Sequence, residues 1–165
     1  MATQRNNLSN YDNTSIPEAT DYKIAVVISE WNSQVTKGLL KGVLDTLKSS
    51  GVHSNNIVIQ YVPGSFELIF GAKKLQTSAV DAVIAVGCII QGETKHFDYV
   101  CQGVTQGIKD LNVLYDTPVI FCVLTDDNLQ QSLDRSGGKY GNKGVEAAVT
   151  LSLIHISEPT RRTDI

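Results

Sequence analysis

The sequence has little of what would commit it to a membrane, a secretory route or a metal site. Its apolar runs reach about six residues, against the ~20 needed to cross a bilayer. Residues 1–21 are polar and carry no apolar core of a signal peptide. Cysteine is scarce: Cys88, Cys101 and Cys122 are odd in number and lie in no Cys-x-x-Cys pair, which predicts reduced thiols and no disulfide framework. Three histidines and unclustered cysteines predict no metal set. Basic residues are outnumbered, 14 Lys and Arg against 17 Asp and Glu, and a net charge of -3 argues against a nucleic-acid footprint. What is present is ordinary for a globular chain: 165 residues, 42% hydrophobic and 19% charged, enough for one domain with its own core. The chain is expected to be soluble and cytoplasmic, with no membrane and no nucleic-acid partner.

The two ends differ from the middle. Residues 1–20 are rich in Asn, Thr, Ser and Gln without apolar periodicity and are expected to form a flexible N-terminal tail. A short strand near Ser15–Pro17 that adds to another subunit's sheet is a minor alternative. Residues 151–165 contain Leu151-Ser-Leu-Ile-His-Ile-Ser-Glu-Pro-Thr-Arg-Arg162, which resembles the in-frame translation of a sequencing adapter. That segment is expected to be non-native, leaving residues 21–150 as the domain. Outside it the only arginines are Arg5 and Arg135, so Arg135 stands alone in the folded body.

Between the ends, strands and helices alternate. Ile24–Ile28 is a continuous apolar run, the pattern of a strand covered on both faces. Val35, Leu39, Leu40, Val43, Leu44 and Leu47 follow at helical spacing and stop at Ser49-Ser50-Gly51. Ile57–Val62 predicts a second strand, ended by Pro63-Gly64, after which Ser65 is expected to cap a helix. Ala82–Val86 predicts a third strand, a loop runs from Gly87 to Thr94, and a helix carries Val100, Val104, Ile108 and Leu111. Val119–Leu124 predicts a fourth strand, with Thr125-Asp126-Asp127 capping a short helix to Arg135. A glycine-rich turn, Ser136–Gly144, leads to a last helix from Val145. Such alternation implies right-handed βαβ units: an α/β fold with a four-stranded parallel sheet and helices on both faces.

Ligands of open parallel sheets bind beyond the carboxyl ends of the strands. Those ends gather Glu30-Trp31-Asn32, Gly64–Glu67, Gln91–His96 and Thr125–Asp127. Each signal has a plain structural alternative. Trp31 is either a hydrophobic staple or a stacking platform. Glu67 is placed where a helix dipole favours a carboxylate, and His96 is either a surface histidine or a proton-transfer group. The three cysteines read as small core residues. Gln91-Gly-Glu-Thr94 runs into a helix N-terminus, whose free N–H groups favour an anion, but it has neither the Walker nor the dinucleotide glycine spacing. From the residues alone the chain is an α/β protein that binds a small anionic ligand.

Taken together, Val26-Val-Ile-Ser-Glu-Trp-Asn32, Val62-Pro-Gly-Ser-Phe-Glu67, Gly87-Cys-Ile-Ile-Gln-Gly-Glu-Thr-Lys-His-Phe-Asp98 and Gly141-Asn-Lys-Gly144 resemble the lumazine synthases of riboflavin biosynthesis. The resemblance runs in order from Tyr22 to Thr150. It implies a flavodoxin-like three-layer sandwich. It also implies a transferase that condenses 5-amino-6-(ribitylamino)uracil with 3,4-dihydroxy-2-butanone 4-phosphate to 6,7-dimethyl-8-ribityllumazine, phosphate and water, without metal or organic cofactor. The roles it implies are specific. Trp31 would stack on the pyrimidine, while Ser65, Phe66 and Glu67 would face the ribityl chain. Cys88, Ile89 and Ile90 would line the ring pocket through backbone groups. Gly92, Glu93 and Thr94 would hold the phosphate, and His96 would move protons. Phe121, Arg135 and Lys143 would reach in from a neighbouring subunit, Arg135 onto the phosphate. The implied partners are further copies of the chain, as a homopentamer or an icosahedral shell of pentamers, and riboflavin synthase.

Two positions depart from the family pattern, Gln91 where relatives are often basic and Cys88 where small or hydroxyl residues are common. The final helix departs as well, because relatives continue it past Thr150. A non-catalytic relative that binds a flavin or lumazine is the chief alternative, and the pairing of His96 with Arg135 weighs against it. A flavodoxin-like electron carrier is disfavoured, since Glu30-Trp31-Asn32 replaces the phosphate loop expected after its first strand.

Overall fold

A strand made wholly of apolar residues is stable only where both of its faces are covered. The structure, a computed structural model, describes residues 8, 10–12 and 19–156. In it β1 (Ile24–Ser29) and β3 (Ala82–Ile90) lie side by side at the centre of a four-stranded sheet, buried along almost their whole length. The sheet is parallel with order β2-β1-β3-β4, where β2 is Ile57–Val62 and β4 is Val119–Asp126. Its register pairs Val26 with Ile59 on one side and Ile84 on the other.

Alternate residues of the central strands enter different cores, as the period of two requires. Ile24, Val26, Ile28, Ile84 and Val86 pack with Val35, Leu39, Val43 and Leu47 of α1 (Ser33–Ser49) and with Ala148 and Leu151 of α5 (Lys143–Ile156). Ala25, Val27, Val83 and Ala85 pack on the other face with Leu68 and Ala72 of α2 (Leu68–Gln76) and Val104, Ile108 and Leu111 of α3 (His96–Leu114). The result is a three-layer, flavodoxin-like sandwich. A short helix α4 (Leu129–Arg135) and a small antiparallel pair, β5 (Ser136–Gly138) and β6 (Gly141–Asn142), join β4 to α5.

Three local expectations are corrected. Gly87–Ile90 continue β3 and are not the start of a loop, since they keep pairing with β4 as far as Ile90 and Asp126. Gly87 marks a close approach of another element: a Cβ there would meet Leu68 Cδ1 at 2.7 Å and Ser65 Oγ at 2.8 Å. For the same reason Ser65 does not cap α2. It is buried beneath β3, and its hydroxyl donates to the Cys88 carbonyl at 3.4 Å. The α4 cap is Asn128, whose Oδ1 accepts from the Gln131 N–H at 3.0 Å, and not Thr125–Asp127. The Asp126 carboxylate is engaged instead by the Ser132 hydroxyl at 2.7 Å inside the fold.

At the ends, Ala19 already packs in the core and its N–H donates to Ser50 O at 2.9 Å. The rest of the expected tail, including the strand near Ser15–Pro17, lies outside the described residues apart from Leu8 and residues 10–12 and 20. The boundary expected at Thr150 falls inside α5, where Leu151 is 1% exposed. Residues 157–165 lie outside the described residues. Among the described residues no helix is long and apolar enough to cross a membrane.

The tightest junction joins α1 to α5. Asn142 donates to Gly38 O at 2.9 Å and accepts from the Gly144 N–H at 2.8 Å. A Cβ on Gly144 would collide with the Leu39 carbonyl, a backbone group that cannot swing aside. Gly144→Ala is expected to destabilise the fold by about 1–3 kcal/mol, the usual cost of overpacking. Urea unfolding of the two proteins checks this.

Candidate active site

The crossovers leaving β1 and β3 go to opposite faces of the sheet, α1 to one and α3 to the other. A crevice is therefore forced open between the ends of these adjacent strands. It is a cavity of about 670 Å³, lined from β1 by Trp31 and Asn32 and from β2 by Gly64, Ser65, Phe66 and Glu67. Cys88, Ile89, Ile90, Gly92, Thr94 and His96 line it from β3 and the start of α3, with Phe97, Tyr99 and Val100 on the next turn.

Each wall has a local cause. The chain leaves β1 pinned to β2, with Glu30 N–H on Val62 O at 2.9 Å and Trp31 N–H on Pro63 O at 3.0 Å. It then turns at Asn32, which adopts the left-handed backbone (φ 57, ψ 44). Trp31 is 72% exposed, so it is not a buried staple; its indole stands at the cavity. Phe66 is also exposed, and Glu67 is the N-cap residue just before α2, where a carboxylate is favoured by the helix dipole.

The β3 wall offers backbone. Pairing of β1 with β3 ends at Ile28 and Val86, while pairing of β3 with β4 continues to Ile90 and Asp126. Cys88–Ile90 therefore present the edge facing β1 without a strand partner. The Cys88 carbonyl is engaged by side chains, Asn32 Nδ2 at 2.9 Å and Ser65 Oγ at 3.4 Å. A planar ring with its own donors and acceptors can use the remainder, as a further strand would.

The third wall is the N-terminus of α3. Lys95 occupies the cap position and its own side chain makes no cap hydrogen bond, so beyond the His96 N–H, which meets the Thr94 hydroxyl, the next N–H groups of the first turn are available to an anion. Gly92 faces open space, and the Thr94 hydroxyl accepts from the His96 N–H at 3.4 Å. His96 is the first residue of the helix and is exposed. Glu93 is exposed as well but does not line the cavity.

The remaining candidates lie elsewhere on the chain. Phe121 and Lys143 line a separate cavity of about 580 Å³ along β4, where Lys143 Nζ is 2.8 Å from a Glu146 carboxylate oxygen. Arg135 lines neither cavity. Its guanidinium donates to Gln131 O at 2.9 Å and lies 5.0 Å over the Tyr140 ring. Among the described residues no group of three or more His, Cys, Asp or Glu could hold a metal ion. Reading the sequence missed Phe97, Tyr99 and Val100, although Tyr99 follows His96 by three positions and so shares its helix face.

Residues 21–156 match the model of the 6,7-dimethyl-8-ribityllumazine synthase family. The chain belongs to this family. It is 63% identical over 150 residues to a protein of that name from Flavobacterium johnsoniae, covering 90% of this chain and 79% of the relative. Identity to the lumazine synthase of Christiangramia forsetii is 62% over 151 residues, 90% of each chain. To that of Phocaeicola vulgatus it is 48%, over 100% of this chain and 99% of the relative.

In this lumazine synthase fold the thiols are part of the packing. Burial pushes the Cys88 thiol up, offset in part by its hydrogen bond to Ser132 and reinforced by the Asp126 charge. Burial pushes Cys122 up to about 12, with Lys143 lowering it and Glu146 raising it. Cys101 is raised mainly by burial and then by Asp98. Thiolate is the reactive species, so at pH 8 iodoacetamide should leave Cys88 and Cys122 unmodified in the folded protein and label all three after denaturation. Mass mapping of the alkylated cysteines reads this directly.

Proposed function

We propose that the chain condenses 5-amino-6-(ribitylamino)uracil with 3,4-dihydroxy-2-butanone 4-phosphate to 6,7-dimethyl-8-ribityllumazine, releasing phosphate and water. The observation that carries the reading is the crevice itself, in which a family member's aromatic side chain, open strand edge and helix N-terminus meet. Mixing the two substrates with protein and following lumazine fluorescence tests it. Absence of product above the spontaneous rate would refute it.

The roles follow from the chemistry each wall can supply. Trp31 stacks on the pyrimidine, and the free edge of Cys88–Ile90 satisfies its ring amides and carbonyls. Ser65, Phe66 and Glu67 line the ribityl channel, with Glu67 accepting hydrogen bonds from its hydroxyls; Ser65 acts through its backbone, since its hydroxyl already donates to Cys88 O. Gly92, Glu93 and Thr94 present the α3 N-terminus to the ketone phosphate, Glu93 through its backbone. His96 moves the protons of amine addition, dehydration and phosphate elimination, as the one imidazole that lines the crevice. Replacing it with alanine should lower kcat by roughly 10²-fold, leaving KM little changed. Wild-type turnover by His96→Ala would remove this assignment.

Phe121, Lys143 and Arg135 serve the crevice of a neighbouring copy. This reading rests on their distance from the chain's own cavity together with the apolar residues exposed along both edges of the sheet. Val58, Ile59 and Tyr61 of β2 and Phe121 of β4 all stand 38% exposed or more. Edges of that kind are covered by assembly in stable proteins, here into a homopentamer, with a shell of pentamers and riboflavin synthase as further levels. The free thiols suit a reducing, cytoplasmic setting.

Arg135 then clamps phosphate across the interface, where lysine cannot reproduce the planar fork. Arg135→Lys should keep the fold and lower kcat/KM roughly 10- to 150-fold, as expected from losing a charge-assisted contact. Co-assembling His96→Ala with Arg135→Ala subunits should restore activity at sites that draw one intact half from each. Mixtures no more active than their parents would show that Arg135 works within its own chain.

A further inference from the structure

An asparagine at the start of a helix ordinarily turns its side chain onto the helix's own free N–H groups. Asn32 does not. Its backbone carbonyl accepts from Val35 and Thr36, yet its side chain makes no cap hydrogen bond to α1. The carboxamide is directed across the crevice instead and donates to the Cys88 carbonyl at 2.9 Å. Among the described residues Asn32 is also the only non-glycine with positive φ. Glycine would hold that backbone more cheaply but has no donor to give, and asparagine is the residue that satisfies both demands.

We propose that Asn32 is a positioning residue that locks the Trp31 turn to the floor of the cavity and so sets the plane on which the pyrimidine stacks; this rests on the reading of Trp31 as the platform. At 72% exposure the indole is not held by packing, so its direction is inherited from the backbone that carries it. Two bonds, from Glu30 and Trp31, tie that backbone to the end of β2. Both lie on one side of the turn. The Asn32 amide supplies the tie on the other side, to β3, at the residue that begins the open edge where the ring is to bind. One carbonyl thereby fixes the height of the platform relative to the edge it serves.

The protein has a single tryptophan, so its emission reports Trp31 alone. Asn32→Gly retains the left-handed turn and removes the amide, while Asn32→Asp retains the size and sets an acceptor against the Cys88 carbonyl. Both variants should show lower Trp31 fluorescence anisotropy than the parent in the absence of substrate. Both should raise KM for 5-amino-6-(ribitylamino)uracil roughly 2- to 10-fold, the worth of one neutral hydrogen bond, with a smaller change in KM for the ketone phosphate. A residue that merely stabilised α1 would lower the melting temperature and leave both readouts alone. Unchanged anisotropy and unchanged pyrimidine KM in the two variants would overturn the proposal. Trp31→Ala separates the claims: if its pyrimidine KM equals the parent's, the platform reading fails, whereas the anisotropy loss in the Asn32 variants would still establish the lock.

Discussion

Everything functional in this chain depends on the adjacency of β1 and β3. Both strands are apolar along their length and must be covered on both faces, which places them at the centre of the sheet. Because the helices that follow them leave to opposite faces, no crossover fills the space above their ends. The crevice is thus a consequence of topology, and the residues just beyond each strand need only be of the right kind. A further consequence is the uneven pairing of β3, which outruns β1 but stays with β4. A stretch of backbone in the fold's interior is left without a strand partner on one edge, where burial makes an unpaired group costly.

The same architecture separates the crevice from the other basic and aromatic candidates of the chain. The cavity lies at the β1–β3 junction, whereas Phe121, Arg135 and Lys143 are on β4, α4 and the start of α5. A phosphate bound by a helix N-terminus alone gains its partial positive charge and a few N–H groups. The sequence has one arginine between Arg5 and Arg161, and that arginine lines neither cavity and lies 5.0 Å over the Tyr140 ring. On the proposed shared-site reading, Arg135 of a neighbouring copy supplies the full charge that a helix N-terminus lacks.

Much of this was legible in the residues. The runs at Ile24–Ile28 and Ala82–Val86 demanded a doubly covered sheet, and the helical spacing from Val35 to Leu47 put α1 against it. The rim residues followed from the general place of ligands in such sheets, and the ordered motifs then pointed to the lumazine synthases. What was not legible depended on partners distant in the chain. Ser65 has the identity of a helix cap, but Gly87 lets it sink beneath β3, and no local pattern signals that. Asn128 outcompeted Asp126 as a cap because Asp126 is held by Ser132 from the following helix. The diversion of Asn32 to Cys88 spans the two central strands and has no signature in either segment. Composition changes beyond Thr150, yet Leu151 fits the apolar face of α5 and is buried there.

The account's central claim is that the pyrimidine binds in the β1–β3 crevice against Trp31. Titrating the protein with 5-amino-6-(ribitylamino)uracil, in the absence of the ketone phosphate, reads it through the emission of that one tryptophan. The account predicts saturable quenching that ends at one pyrimidine per chain. Tryptophan emission that stays constant through a titration in which calorimetry records binding would place the pyrimidine elsewhere and contradict it.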